Sequence, residues 1–111
     1  MIRSAVLMAA PLAALAGCAT VADMRKAAPR ADYTTAKTAA AVEGCLVGAF
    51  GWLSAPTIVR GGTSTEVVFG PFQNAVLHIT LTPVASGTGV QVRQPIAYGT
   101  RSRRTIEAGL K

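Results

Sequence analysis

Histidine, cysteine, acidic and aromatic residues are all scarce in this 111-residue chain, which has one histidine, two cysteines, five carboxylates and 5% aromatics. Each shortage excludes a class of chemistry. A single histidine, His78, with no cysteine pair at ligand spacing, removes the usual donor sets for zinc. A Ser-His-acid set would have to use that same histidine, and no serine occupies a strand-turn-helix elbow. The acids Asp23, Asp32, Glu43, Glu66 and Glu107 are scattered, whereas paired-carboxylate catalysis needs two in one cleft. Neither Gly61-Gly62 nor Gly87-Thr88-Gly89 leads into a helix, so neither reads as a phosphate loop. The expectation is a protein that is not an enzyme and carries no metal and no cofactor.

Long apolar runs are missing too. The stretch Ala5 to Leu15 falls short of the roughly 20 residues needed to span a bilayer, and Pro11 within it would break a permanent helix. Arg3 precedes this stretch and small residues follow, the arrangement of a cleaved signal. It closes on Leu15-Ala16-Gly17-Cys18, which resembles the lipobox of bacterial lipoproteins. The resemblance implies that residues 1–17 are removed and that Cys18 receives lipid and becomes the anchored N-terminus. Two or more acyl chains give a stable membrane anchor, where one gives only a reversible one. Residue 19 is alanine, not the aspartate that holds enteric lipoproteins at the inner membrane, so the resemblance favours an outer-membrane lipoprotein facing the periplasm. The competing readings are a plain secretory signal with Cys18 merely near its cut, and an accidental apolar start to a cytoplasmic chain.

Residues 18–111 suffice for one small domain. The formal net charge of the whole chain is +6. A nucleic-acid partner is set aside, because few aromatics interleave with the basic residues. Anionic lipid is the better counterpart, and Arg25, Lys26 and Arg30 lie close to Cys18 in sequence. The alternative is that these charges only keep a linker soluble. With Cys18 lipidated, Cys45 is left odd. Two readings stand for it: a small apolar group packed in the core, or a thiol joined to a partner protein.

Along the chain, residues 18–33 lack a period and read as a lipidated tether. Residues 34–111 read as the folded part. A helix is expected from a cap at Thr34 or Thr35 to about Leu53, with Ala39, Val42, Leu46, Ala49 and Leu53 on one face. Strands follow at Thr57–Arg60 and Thr63–Phe69, flanking Gly61-Gly62 as a two-residue hairpin turn. Ala75 to Thr82 alternates cleanly, with Leu77, Ile79 and Leu81 inward and His78, Thr80 and Thr82 toward water. Val90, Val92 and Ile96 continue the inward face on the next strand, and Arg101 to Leu110 reads as a short last helix. The sum is an α+β fold in two layers, the first helix lying on a four-stranded antiparallel meander.

Such a chain is expected to be a membrane-anchored envelope component of structural or interaction role. Its partners would be the membrane, through Cys18, and an envelope protein docked on the wet sheet face or an edge strand. A periplasmic ligand-binding module, with its pocket between helix and sheet near Trp52, Phe69 and Tyr98, is the alternative.

Overall fold

The computed structural model describes residues 20–70, 75–95 and 99–111. Its elements, in chain order, are α1 (Val21–Lys26), β1 (Ala31–Thr35), α2 (Ala39–Phe50), β2 (Thr57–Arg60), β3 (Thr65–Phe69), β4 (Leu77–Val84), β5 (Gly87–Arg93) and α3 (Thr100–Gly109). The fold is α+β, but the sheet has five antiparallel strands in the order β1-β5-β4-β3-β2 and helices lie on both of its faces.

The meander from β2 to β5 follows from alternation. Odd-numbered residues of β3 and β4, Val67, Phe69, Leu77, Ile79 and Leu81, meet Val90 and Val92 of β5 on one face. There they pack against Val42, Leu46 and Phe50, which fall at four-residue spacing along α2, and against Ile106 of α3. The Phe50 and Phe69 rings, 5.5 Å apart between centroids, close this core at one end.

Three features differ from the sequence reading, each for a local reason. Helix α2 is capped by Thr38, whose side chain accepts from the Ala41 amide, so the helix starts later than Thr34 or Thr35 would place it. Those two threonines belong to β1, which pairs with β5 from Ala31↔Val92 to Thr35↔Thr88 and adds the fifth strand. The β2–β3 turn is a four-residue loop, Gly61 to Ser64, closed by the Gly61 amide donating to the Ser64 carbonyl at 2.9 Å. Neither Gly61 nor Gly62 takes the positive φ of a two-residue hairpin turn. Gly87, the first residue of β5, has a positive φ of +146°, where the β4–β5 hairpin passes against the backbone of Thr35 and Ala36 and leaves no room for a side chain.

The largest difference concerns the expected tether. From Thr20 onward it is folded. A capping box starts α1: the Asp23 amide donates to Thr20 Oγ1 and the Thr20 amide to the Asp23 carboxylate, each at 3.2 Å. Val21 and Met24, three residues apart, then pack on Val68 and Ala75. Val68 alternates with Val67 and Phe69, so this second cluster lies on the opposite face of the sheet. One end of the supposedly wet face is therefore roofed, and the domain has three layers there.

Candidate functional site

Under α1 lies the densest polar cluster among the described residues. Glu66 on β3 accepts from Arg25 Nε and an Arg25 terminal nitrogen, both at 2.7 Å, and its Oε2 is also 2.8 Å from His78 Nε2. His78 is expected in water from its place on the polar side of β4. It is instead 1% exposed, because α1 covers that side. The hydrogen bonds from Arg25 are the main influence pulling the Glu66 carboxyl down to about 2, with His78 adding to them and partial burial opposing. Burial is the main influence holding the His78 imidazole below its ordinary value, and it outweighs the attraction of Glu66. An ionised carboxylate only accepts, so Nε2 of the neutral ring carries the hydrogen. Nδ1 is left buried with no hydrogen-bond partner among the described residues.

A histidine oriented by a carboxylate is the geometry of a general base. Here the second ring nitrogen is buried. The cluster fastens α1 to β3 and β4. Arg93 makes the corresponding tie to β5, its Nε donating to the Ala27 carbonyl at 2.9 Å just past the end of α1.

Beside this roof a groove of about 370 Å³ opens between α1 and the end of β5. It is lined by Asp23, Met24, Ala27, Arg30, Gln94 and Pro95 among others. Arg30 is held by the Gln94 and Pro95 carbonyls at 3.2 and 3.4 Å. The Gln94 Oε1 atom is buried and unpartnered among the described residues. The cleft expected near Trp52, Phe69 and Tyr98 falls partly outside the described residues. Phe69 is fully buried in the core, Trp52 is 63% exposed beneath the Arg101 guanidinium, and Tyr98 lies outside the described residues.

The lipobox residues Leu15, Ala16, Gly17 and Cys18 also lie outside the described residues. Cys45 is described and is a free, exposed thiol, not the packed one that one reading expects. It sits off the Val42, Leu46 and Phe50 stripe, on the flank of α2 toward α3, where a side chain at Gly109 would meet its Cβ at 3.6 Å. Of the three cations expected to serve lipid, Arg25 pairs with Glu66 and Arg30 donates to the Gln94 carbonyl, both from exposed positions. Among the described residues no helix is long and apolar enough to cross a membrane.

Sequence reasoning misses the Arg25–Glu66–His78 cluster because it joins residues from three elements, one of them read as linker. The pattern Thr20-x-x-Asp23, a polar cap ahead of Val21 and Met24, is the signal that could have revealed that helix. No protein-family model matches the chain, and no curated protein or solved structure is significantly similar to it.

Proposed function

We propose that this chain is an envelope lipoprotein, anchored through lipid on Cys18, with a non-enzymatic structural or protein-interaction role at the periplasmic side of the outer membrane. The observation that carries the reading is Leu15-Ala16-Gly17-Cys18 closing a short apolar segment that starts after Arg3. The beginning of the fold is compatible with it, since the capping box opens at Thr20, just past the cysteine that would become the mature N-terminus. The test is Cys18→Ser, with labelled palmitate fed to cells and the mass of the mature protein measured. Loss of label and of processing is expected. A substituted protein that still takes up palmitate would refute the reading.

The groove beside α1 favours a second reading, a small ligand-binding module, because it sets the polar residues Asp23, Arg30 and Gln94 in an otherwise largely apolar lining. A saturable rise in melting temperature with one class of small polar metabolite, lost in Gln94→Met, would support it. Co-purification of an envelope protein with no such thermal shift would favour the interaction role.

A further inference from the structure

One end of the domain, where β3 stops at Phe69, β4 starts at Leu77 and β5 stops at Arg93, gathers features that the fold itself does not use. Helix α2 delivers its C-terminus there: Phe50 packs on Phe69, and the Gly70 amide donates to Ser54 Oγ at 3.1 Å. Helix α3 starts there, with the Arg101 guanidinium 4.9 Å from the centroid of the Trp52 ring. Helix α1 starts there as well, its Val21 and Met24 seated on Val68 and Ala75. Three large hydrophobic residues are exposed among those described, and two of them, Trp52 at 63% and Val76 at 43%, are at this end. The third, Val84, is at the opposite end, beside the β4–β5 turn.

The charges at this end are equally unspent. Arg101, Arg103 and Arg104 crowd the first half of α3, and among the described residues none of them, nor Lys26, has a carboxylate at ion-pair distance. The first turn of α3 has no acid, and its cap, Gly99, offers no side-chain hydrogen bond. Cations at a helix N-terminus oppose the helix dipole, so this arrangement works against the helix. It suits a surface that meets negative charge. An exposed tryptophan beside an arginine is also the pairing that settles at a membrane interface, with the ring at headgroup level and the cation at the phosphates.

We propose that this end of the domain docks onto an anionic phospholipid bilayer, Trp52 and Val76 entering the headgroup layer and Lys26, Arg101, Arg103 and Arg104 meeting the phosphates. The proposal rests on the lipoprotein reading in one respect: a lipid on Cys18 would hold this same end at the bilayer, since only one residue, Ala19, separates Cys18 from Thr20, a reach of about 7 Å at full extension. A second copy is a poor occupant, because pairing like ends would bring the same arginines together.

Trp52 is the only tryptophan in the chain, so its fluorescence reports on this end alone. The full chain is reconstituted into vesicles of phosphatidylglycerol and phosphatidylcholine, or of phosphatidylcholine alone, with brominated acyl chains as quenchers. Quenching and a blue shift are expected in the anionic vesicles and not in the zwitterionic ones, with reversal at high salt. Replacing Arg101, Arg103 and Arg104 together by glutamine should lower the ratio of docked to undocked domain roughly 100-fold, about a factor of five for each cation. A tryptophan moved to the far end, Val84→Trp in a Trp52→Phe background, should escape quenching, while Val76→Trp in the same background should be quenched. These single-site reporters keep the test open should the triple variant fold poorly.

Absent quenching, equal quenching in both vesicle types, or quenching of the Val84→Trp reporter would each overturn the proposal. So would a lipid-independent blue shift that grows with protein concentration, which would assign the surface to self-association. The mass of the mature protein tests lipidation separately. Lipidated protein with an unquenched Trp52 removes the docking and leaves the anchor, and quenched Trp52 on an unlipidated chain does the reverse.

Discussion

Replacing Glu66 by alanine is expected to detach α1 from the sheet while the rest of the domain stays folded. The hold on α1 is narrow. Its two apolar contacts, Val21 at 3% and Met24 at 2% exposure, contribute about 3 to 6 kcal/mol together by burial. Fixing six backbone residues costs about 6 to 12 kcal/mol, so the hydrogen bonds of the helix and the polar ties to the sheet decide whether it docks. Glu66→Ala removes the acceptor for both Arg25 nitrogens and strands the His78 Nε2 hydrogen in the interior. Charged hydrogen bonds contribute about 1.5 to 3 kcal/mol and an unsatisfied buried donor costs about 1 to 3. Arg25 is 46% exposed, so its share belongs at the low end. The sum, about 2 to 4 kcal/mol, corresponds to amide exchange through α1 faster by roughly 30- to 800-fold. Hydrogen exchange resolved by residue measures this against the central strand β4 as reference. Unchanged exchange in α1, or acceleration spread equally over β4, would refute the argument that Glu66 pins this helix.

Acid should act on the same pin. The Glu66 carboxyl is held at about 2 in the fold against an ordinary 4.5. Its contribution is therefore complete above pH 4.5 and is lost as the pH falls from there toward 2. At about 1.4 kcal/mol for each pH unit of difference the ceiling is about 3 kcal/mol, reduced to about 2 by the solvent around Arg25. The His78 imidazole is also held below its ordinary value, so it too favours folding above pH 6.5 and progressively less below it. Stability should thus decline in two stages on acidification, the first from His78 and the second from Glu66. In Glu66→Ala both stages should shrink, the second because the carboxyl is gone and the first because release of α1 uncovers His78. Urea midpoints across this range read both stages, and a flat profile between pH 6.5 and 4.5 would show that His78 is not buried as a neutral ring.

Three further outcomes check other parts of the structure. Ile79→Ala should cost about 2 to 5 kcal/mol, and His78→Ala about 1 to 3 kcal/mol by opening space under α1 and unpairing Glu66; a loss under about 0.5 kcal/mol for His78→Ala would return that side of β4 to water. Gly87→Ala should destabilise by about 3 kcal/mol or more, since it combines a backbone angle that side chains rarely adopt with a collision at the Thr35 carbonyl; an unchanged melting temperature would mean that β1 does not run beside this turn. Cys45 should react with a maleimide in the native protein without denaturant, and protection would mean that a partner or a rearranged α3 covers it.

The sequence makes some of these elements plain and hides others for reasons of length and composition. β4 is legible because Leu77, Ile79 and Leu81 alternate with polar residues over a full strand, and α2 because Val42, Leu46 and Phe50 keep helical spacing. β1 shows only five residues, Ala-Asp-Tyr-Thr-Thr, whose inward members Ala31, Tyr33 and Thr35 are weakly apolar, so the alternation is present but faint. α1 offers two apolar residues in one and a half turns, too few to stand out from a charged, alanine-rich linker. Missing α1 displaces the reading of His78, because a strand with a helix over each face looks, in sequence alone, like a strand with one face in water. Cys45 is misplaced for a different reason. It neighbours Leu46 along the chain, but the core-facing stripe of α2 passes one position to its side.

The folding of Thr20 to Thr35 alters what an anchor at Cys18 could do. A flexible stretch over residues 18–33 would let the domain range roughly 20 to 24 Å from its lipid, far enough to turn any face to the membrane. With α1 docked, the free link of a chain lipidated at Cys18 would shrink to about 7 Å, and the end of the domain that carries Trp52 and Arg101 would be held beside the bilayer. The length of the tether is then set by the Arg25–Glu66–His78 cluster, not by composition, and any event that breaks the cluster releases up to ten more residues, from Val21 to Arg30, before β1 re-enters the sheet. On the lipoprotein reading, Glu66→Ala should therefore do more than loosen a helix. It should weaken the bilayer contact of Trp52 without touching a residue of the docking end, because a longer leash lowers the effective concentration of that end at the surface. Trp52 quenching that is unaffected by Glu66→Ala would show that the lipid-facing end holds to the membrane by its own contacts, independent of how closely the chain is tied.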